Sequence, residues 1–236
     1  MKHYSNARAK TPKAVARGRN ATPAARFKQR ARPQSRRCVG SQDIAQPFSP
    51  PEDWHEPVGD GSPYRVKVQD PGKGYRHVVT PQQVRDRLAE LPERFLEGLE
   101  LVQLSRVTRK KQSFPCYGMQ WGATLYLYPL EESLIETFYS PPGPDTVNES
   151  KMYGGRWAQP EPGVWTLTWT EETVRDYYLN NILIHELGHL LDERNSSYTD
   201  RERYAEWFAI HYGYLATGGR QSRRPRQKVR RRHHAG

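Results

Sequence analysis

The stretch that decides the fold is residues 180–192, which read Asn-Asn-Ile-Leu-Ile-His-Glu-Leu-Gly-His-Leu-Leu-Asp. It contains the pattern H-E-x-x-H at His185, Glu186 and His189. Residues four apart on an α-helix lie about 40° apart around its axis, so the two imidazoles share one face. Two imidazoles one turn apart can bind a single Zn²⁺, and Glu186 is placed to deprotonate a water on that ion. The pattern therefore predicts a zinc-binding helix with Glu186 as general base.

The residues around this motif indicate a buried helix. Two histidines and a glutamate on one buried turn each need a polar partner, which favours a metal ion over an accidental spacing. Gly188 lowers helix stability by about 1 kcal/mol relative to Ala, so we expect it to permit the close approach of another element. The apolar residues that flank the motif are Leu183, Ile184, Leu187, Leu190 and Leu191.

Charge is divided unevenly along the 236 residues. Residues 1–37 contain 12 Lys or Arg and residues 218–236 contain eight, and neither segment contains Asp or Glu. Residues 38–219 hold the other 17 of the 37 basic residues and all 26 acidic ones, a net charge of −9. We expect two disordered basic tails around an acidic folded body, because segments so poor in apolar residues cannot offset the entropy of ordering. Such tails suit nucleic-acid phosphates or other acidic surfaces.

Several features bear on the compartment and on the region before the folded body. The chain has no apolar run long enough for a transmembrane helix and no apolar segment typical of a secretory signal. Cys38 and Cys116 form no disulfide framework and fit a reducing compartment. We therefore expect a cytoplasmic protein with no membrane partner. The five prolines within residues 38–63 predict an extended linker.

Residues 64–217 are predicted to form one α+β domain. Because the loop predicted over 140–163 is long for a compact domain, we expect it to border the site. In chain order the expected elements are a strand at 64–69, a helix after the cap Thr80, strands at 99–107 and 123–128, the loop, a strand at 164–169, a helix from Thr170 to about Glu193, and a last helix opened by a capping box at 199–202.

A catalytic zinc site needs a third protein ligand. The pattern H-E-x-x-H-x-x-G-x-x-H fails here, since Asp192 and Asn195 occupy the later positions. Asp192 lies on the same helical face as His189, and two interpretations of it stay open. It could orient a zinc-bound histidine by accepting its other N–H, or it could pair with Arg194 or with solvent.

A glutamate from the last helix is the other route to a third ligand. Glu206 is predicted to fill this position, because a short turn between two antiparallel helices would bring it alongside His189. Glu202 competes, but its expected place in a capping box gives it a structural role. His211 also competes, although it lies about 140° around the helix from Glu206 and would hardly serve the same metal.

These two motifs carry a resemblance to a known family. His185-Glu186-Leu187-Gly188-His189, followed by Ala205-Glu206-Trp207-Phe208-Ala209, resembles the gluzincin metallopeptidases. It is most similar to compact members such as the ImmA/IrrE-like peptidases and the catalytic domain of anthrax lethal factor. The resemblance implies a zincin-like (minigluzincin) fold with a small mixed sheet, a zinc helix and a ligand helix. It spans residues 80–217, but only the two short motifs are specific.

The same resemblance implies the roles of the site residues. Zinc would be bound by His185, His189 and Glu206, with Glu186 as general base. The family's oxyanion-stabilising Tyr or His matches no motif here. Tyr198 is the candidate by its place in the turn before the ligand helix, and a surface aromatic of that turn is an equal alternative.

Two hypotheses of function follow. The first is a zinc-dependent endopeptidase whose protein or peptide substrate lies along a sheet edge near 164–169 or 123–128, with the basic tails recruiting it to nucleic acid or nucleoprotein. The second is a non-catalytic nucleic-acid-binding accessory protein in which residues 1–37 and 218–236 bind and the zincin fold is a scaffold. Glu186 favours the first hypothesis, because a purely structural metal site needs no general base.

Overall fold

The computed structural model describes residues 51, 53–61, 63–108 and 116–219. The basic tail expected at 1–37, residues 220–236 of the second tail and the first part of the expected linker lie outside the described residues. The strands are β1 (Arg65–Val68), β2 (Tyr75–Arg76), β3 (Leu101–Leu104), β4 (Gly118–Trp121), β5 (Thr124–Leu127), β6 (Leu130–Glu131), β7 (Ile135–Phe138), β8 (Arg156–Glu161) and β9 (Val164–Thr168). The α-helices are α1 (Pro81–Ala89), α2 (Pro144–Met152), α3 (Glu171–Tyr177), α4 (Leu183–Leu191) and α5 (Tyr198–Ala209).

Small sheets and helices together confirm the predicted α+β class. The largest sheet has the strand order β1-β3-β5-β4. Its first three strands run parallel, while β4 pairs antiparallel with β5 through a tight turn at Gly122, whose φ is +56°. The predicted strands at 64–69, 99–107 and 123–128 correspond to β1, β3 and β5. None of the described helices is long and apolar enough to cross a membrane.

The two faces of this sheet belong to different apolar clusters, because successive side chains of a strand point to opposite sides. Leu125 and Leu127 belong to the main core, which also includes residues of α3 and α4. Tyr126 and Tyr128 belong to a smaller cluster with Cys116, Met119 and Trp121. The main core therefore lies between the sheet and the helices.

The loop predicted over 140–163 is wrong, because this stretch contains α2 and all of β8. Pro144 stands at the first position of α2, where the missing N–H costs no hydrogen bond, so the proline starts a helix. β8 pairs with β9, and β9 pairs with β7, in a separate antiparallel sheet. The predicted strand at 164–169 is thus β9, the central strand of that sheet.

The long helix predicted from Thr170 to Glu193 is interrupted. Thr170 caps α3 as expected, with its side chain accepting from the Thr173 N–H. Tyr178–Ile182 then forms a π-helical segment, and α4 follows. A second π-helical segment, Ile210–Leu215, follows α5. Wide turns of this kind are rare and often lie at functional sites.

The two π-helical segments are in contact. A Cβ on Gly213 would overlap the Asn180 carbonyl oxygen, so only glycine fits there. The guanidinium of Arg87, which is 6% exposed, donates to the Asn180 side chain and to the Tyr212 carbonyl. Burial lowers the pKa of Arg87 from its ordinary value. This one side chain therefore ties α1 to both segments.

α4 and α5 pack closely at Gly188. A Cβ on Gly188 would lie 3.0 Å from the Ala205 Cα and 3.1 Å from the Phe208 Cβ. The close approach predicted from the glycine is confirmed. The start of α5 differs from the prediction: Ser197 is its cap, accepting from the Asp200 N–H, and the expected capping box at 199–202 is wrong.

The expected linker is docked on the domain over part of its length. Residues 53–59, here called the strap, contact the sheet through several polar groups. The His55 N–H donates to the Tyr126 hydroxyl at 3.0 Å, and the His55 ring lies 2.8 Å from the Gln103 side-chain oxygen. The N–H groups of Val58 and Gly59 donate to the Glu100 carboxylate at 2.7 and 2.6 Å. Specific contacts therefore begin before the predicted domain boundary at residue 64.

Candidate metal centre

α4 places both motif histidines inside the protein. His185 and His189 are each 1% exposed, and their rings lie 4.6 Å apart between centroids. The helix between them is buried on all sides, as the apolar residues around the motif predict. Glu186 is 0% exposed. The structure thus brings together the three residues of the H-E-x-x-H pattern in a buried position.

The third member of the group is Glu202, which corrects the prediction of Glu206. The two carboxylate oxygens of Glu202 lie 3.5 Å from the Nε2 atoms of His185 and His189, one oxygen to each ring. Glu206 lies one turn further along α5 and is exposed. Ser197 caps α5, so Glu202 does not have the capping role expected of it. Its side chain points instead to the two histidines of α4.

The spacing within this group favours a shared cation over direct hydrogen bonds. Hydrogen bonds between nitrogen and oxygen are typically about 2.7–3.2 Å long, shorter than the 3.5 Å between Glu202 and each histidine. One ligand atom from each of His185, His189 and Glu202 lies within 4.8 Å of the others. These three residues, here called the metal group, could therefore hold a metal ion.

Glu186 lies against the edge strand of the main sheet. A Cβ on Gly118, the first residue of β4, would lie 2.8 Å from the Glu186 carboxylate and 2.6 Å from the Ile182 side chain. The glycine is thus required for this strand to approach α4, here called the metal helix. The expectation that 123–128 or 164–169 forms a sheet edge is wrong, since β5 and β9 each have neighbouring strands on both sides.

Arg201 fixes the end of the metal helix. Its guanidinium donates to the main-chain oxygens of His189 at 2.9 Å and Asp192 at 2.8 Å. These are carbonyls at a helix C-terminus, which have no partner within the helix itself. Asp192 accepts hydrogen bonds from the main chain and the side chain of Asn195, and these stabilise the turn after α4. No local pattern in the sequence predicts this role for Arg201.

An acidic cleft of about 120 Å³ opens beside the metal group. Helix α2 forms one wall of it, in the region that was expected to border the site as a loop. Glu149 of α2 accepts from the side chain of Asn181 at 2.6 Å. The residues that line the cleft are Asp145, Thr146, Glu149, His185, Glu202 and Glu206.

The remaining candidates lie apart from the group. His211 is exposed, with its ring nitrogen 2.9 Å from the Trp207 carbonyl, and is not a member of the metal group. Tyr198 opens α5, is 53% exposed, and is not among the residues that line the cleft. Its role as an oxyanion donor stays a prediction.

Comparison with known proteins identified no relative of this chain. No family model matches the chain, and no match was found among curated proteins or solved structures. The site is therefore assigned from its own chemistry.

Proposed function

We propose that this protein is a zinc-dependent endopeptidase with a zincin-like fold. The observation that carries the proposal is the position of Glu202, whose two carboxylate oxygens reach both histidines of an H-E-x-x-H helix at 3.5 Å. Two histidines and a glutamate form a ligand set of catalytic zinc sites, which leaves a further coordination position open. Gluzincin-type peptidases are the family that the motif resembles, with Glu202 in place of the expected Glu206.

The spacing of the ligands supports zinc as the metal. Zinc binds histidine nitrogens and carboxylate oxygens at about 2.0–2.2 Å in a tetrahedral arrangement, which places two ligand atoms roughly 3.3 Å apart. The observed 3.5 Å between Glu202 and each Nε2 is close to this value. Bound zinc would supply a Lewis acid that polarises the scissile carbonyl and lowers the pKa of a water.

Glu186 is the proposed general base. It follows His185 directly on α4, is fully buried, and lies against the first residue of β4. In the proposed reaction its carboxylate takes a proton from the attacking water and then delivers that proton to the amine nitrogen that leaves. Buried surroundings keep bulk water from competing for this transfer.

The edge strand β4 supports a peptide as substrate. It runs antiparallel to its neighbour, has no described strand on its other side, and begins at the residue that contacts Glu186. An extended peptide can add to such an edge through main-chain hydrogen bonds. A peptide bound there would pass the general base.

The test is peptide cleavage by the zinc-loaded chain and by its Glu186→Gln variant. We expect the wild type to cleave a degenerate peptide mixture, and the variant to lose about a thousandfold in rate, the scale of a lost general base. The variant should keep its zinc, because Glu186 is not a ligand. Cleavage by the variant at the wild-type rate would contradict the proposal, as would a zinc-loaded wild type that cleaves no peptide.

A further inference from the structure

Arg201 and Glu202 are consecutive residues of α5, and the side chains of both contact the metal helix. The Glu202 carboxylate oxygens lie 3.5 Å from the Nε2 atoms of His185 and His189. The Arg201 guanidinium donates to the main-chain oxygens of His189 at 2.9 Å and of Asp192 at 2.8 Å. The same two residues therefore contact His189 at its ring and at its main chain.

These contacts join a candidate ligand of α4 to one of α5 over a short path. From the His189 ring the path runs through its own main chain to the Arg201 guanidinium, and then along the chain to the next residue, Glu202. A guanidinium is a planar group whose donors keep a fixed arrangement, so two hydrogen bonds specify both its position and its direction. A shift of Glu202 along α4 would therefore stretch the hydrogen bonds of Arg201.

Other contacts between the two helices constrain the metal group less directly. In the middle of the pair, Gly188 packs against Ala205. At the end away from the metal group, Arg87 joins the two π-helical segments. Apolar packing is non-directional, whereas a pair of hydrogen bonds specifies an orientation. The orientation of α5 at the end that carries the metal group is therefore specified by Arg201.

The chemistry of Arg201 suits its place at the end of the metal helix. Carbonyls at a helix C-terminus have no partner within the helix and carry the negative end of its dipole, so they favour a cationic donor. Arg203, two residues further along α5, has the arrangement of an ordinary surface arginine. Its side chain is 75% exposed and lies 3.5 Å from the Asp200 carboxylate. Arg201 is thus distinguished from its neighbour by its contacts with α4.

We propose that Arg201 is a positioning residue of the metal centre, which holds Glu202 against the two histidines through the main chain of His189. This inference rests on the proposed function, since it requires that the metal group binds zinc. It gives Arg201 no contact with the metal or with substrate. Residues that orient metal ligands typically contribute about 10- to 100-fold to metal affinity.

The first test compares the zinc affinity of the wild-type full chain with that of Arg201→Met, measured by competition with a chromophoric chelator. Methionine keeps an apolar stem and removes the charge and the donors. We expect zinc affinity to fall by about 10- to 100-fold. Arg201→Lys restores a positive charge with donors, although not the planar arrangement, and should recover most of the loss.

Two controls separate positioning from general effects. Arg203→Met removes an exposed arginine from the same helix, and so tests the loss of one positive charge. His55→Ala removes a contact on the opposite face of the main sheet, and so tests whether a weaker fold alone weakens zinc binding. Both variants should keep zinc affinity within about twofold of the wild type.

The second test measures the geometry of the metal group. Co²⁺ can replace Zn²⁺ at sites with histidine and carboxylate ligands, and its visible absorption depends on the number and arrangement of those ligands. Each protein is compared when fully loaded with cobalt, so that differences in affinity do not enter. The absorption bands should change in position or intensity in Arg201→Met. Arg201→Lys, Arg203→Met and His55→Ala should keep the wild-type spectrum.

Three results would overturn the inference. One is a zinc affinity of Arg201→Met within about twofold of the wild type. Another is no recovery of affinity in Arg201→Lys. The third is weakened zinc binding in Arg201→Met with a wild-type cobalt spectrum, which would give Arg201 a role in stability alone. Arg201→Gln, which keeps an amide donor, replaces the methionine variant under the same criteria if that variant does not fold.

Failure of the positioning role differs from failure of the proposed function. Peptide cleavage by the wild type together with unchanged zinc affinity in Arg201→Met would leave the peptidase and remove the positioning role. Zinc binding that depends on Arg201, with no peptide cleavage by the wild type, would leave the positioning role and remove the peptidase. A wild type that binds no zinc would contradict both.

Discussion

The two faces of the main sheet are covered in different ways. On one face, α4 packs against the sheet, and contacts between backbones and small residues set its position at Gly118 and Gly188. On the other face, the strap is held by hydrogen bonds, such as those of His55 to Tyr126 and Gln103. All candidate metal ligands lie with the helices. The difference indicates that the positions of the candidate metal ligands depend on close packing of the helices. The strap contributes to stability through separate hydrogen bonds.

A large side chain at Gly188 should have the greatest effect on stability. Gly188→Leu would force α4 and α5 apart, because even a Cβ there lies 3.0 Å from the Ala205 Cα. We expect the free energy of unfolding to fall by about 3 kcal/mol and zinc affinity to fall with it. Chemical denaturation and zinc titration measure both effects.

The control for this variant is Ala89→Leu, which adds the same side chain at an exposed position of α1. It should change stability by less than about 0.5 kcal/mol. If Gly188→Leu were equally harmless, the packing of α4 on α5 would not determine the metal geometry.

Loss of a strap contact should have a smaller effect that does not reach the metal. His55→Ala removes the ring that lies 2.8 Å from the side-chain oxygen of Gln103, which is 1% exposed. A buried amide left with fewer partners should lower the free energy of unfolding by about 1–2 kcal/mol. Zinc affinity should stay at the wild-type value.

Val58→Ala is the matched truncation within the strap, at a side chain that is 64% exposed, and should be nearly neutral. A fall in zinc affinity in His55→Ala would show that the two faces are coupled. That result would contradict the separation of the strap from the candidate metal ligands.

The last effect appears only at alkaline pH and is absent near neutrality. Burial raises the pKa of Tyr126, beneath the strap, from about 10 to about 12. Because the folded state holds this proton more tightly, the contribution of Tyr126 to stability is fully present below pH 10 and is lost between about pH 10 and 12. Over this range the free energy of unfolding falls by at most about 1.4 kcal/mol per pH unit.

Comparison of wild type with Tyr126→Phe isolates this slope in denaturation curves recorded from pH 9 to 12. The difference between the two proteins should shrink as pH rises above 10. Tyr139→Phe, at a side chain that is 80% exposed, is the matched control for loss of a tyrosine hydroxyl. A difference for Tyr126→Phe that stays constant with pH would contradict the burial of this hydroxyl as the cause.

Local signals predicted the metal helix well. A buried helix is predicted by the spacing of His185 and His189 together with the leucines around them. Gly188 predicts the close approach of another element. Both predictions use only residues that are near one another in the sequence. The α+β class followed from the same periodicities. Each of these features is present in a window of a few turns.

Features that depend on distant residues were predicted poorly. Glu206 was predicted in the place that Glu202 takes in the group, because Glu202 was expected to form a capping box with Thr199, whereas the cap of α5 is Ser197. Strand order is not encoded locally, so the edge strand β4 was not predicted. The contact of Asn181 with Glu149 joins residues 32 positions apart, and no local pattern signals it.

The most direct test of the proposed metal centre is the zinc content of the purified full chain and of two matched variants, Glu202→Ala and Glu206→Ala. We expect one zinc per chain in the wild type, loss or marked weakening of zinc in Glu202→Ala, and full retention in Glu206→Ala. Zinc retained in Glu202→Ala and lost in Glu206→Ala would contradict the assigned metal centre. Absence of zinc from all three proteins after reconstitution would contradict the proposal of a zinc enzyme.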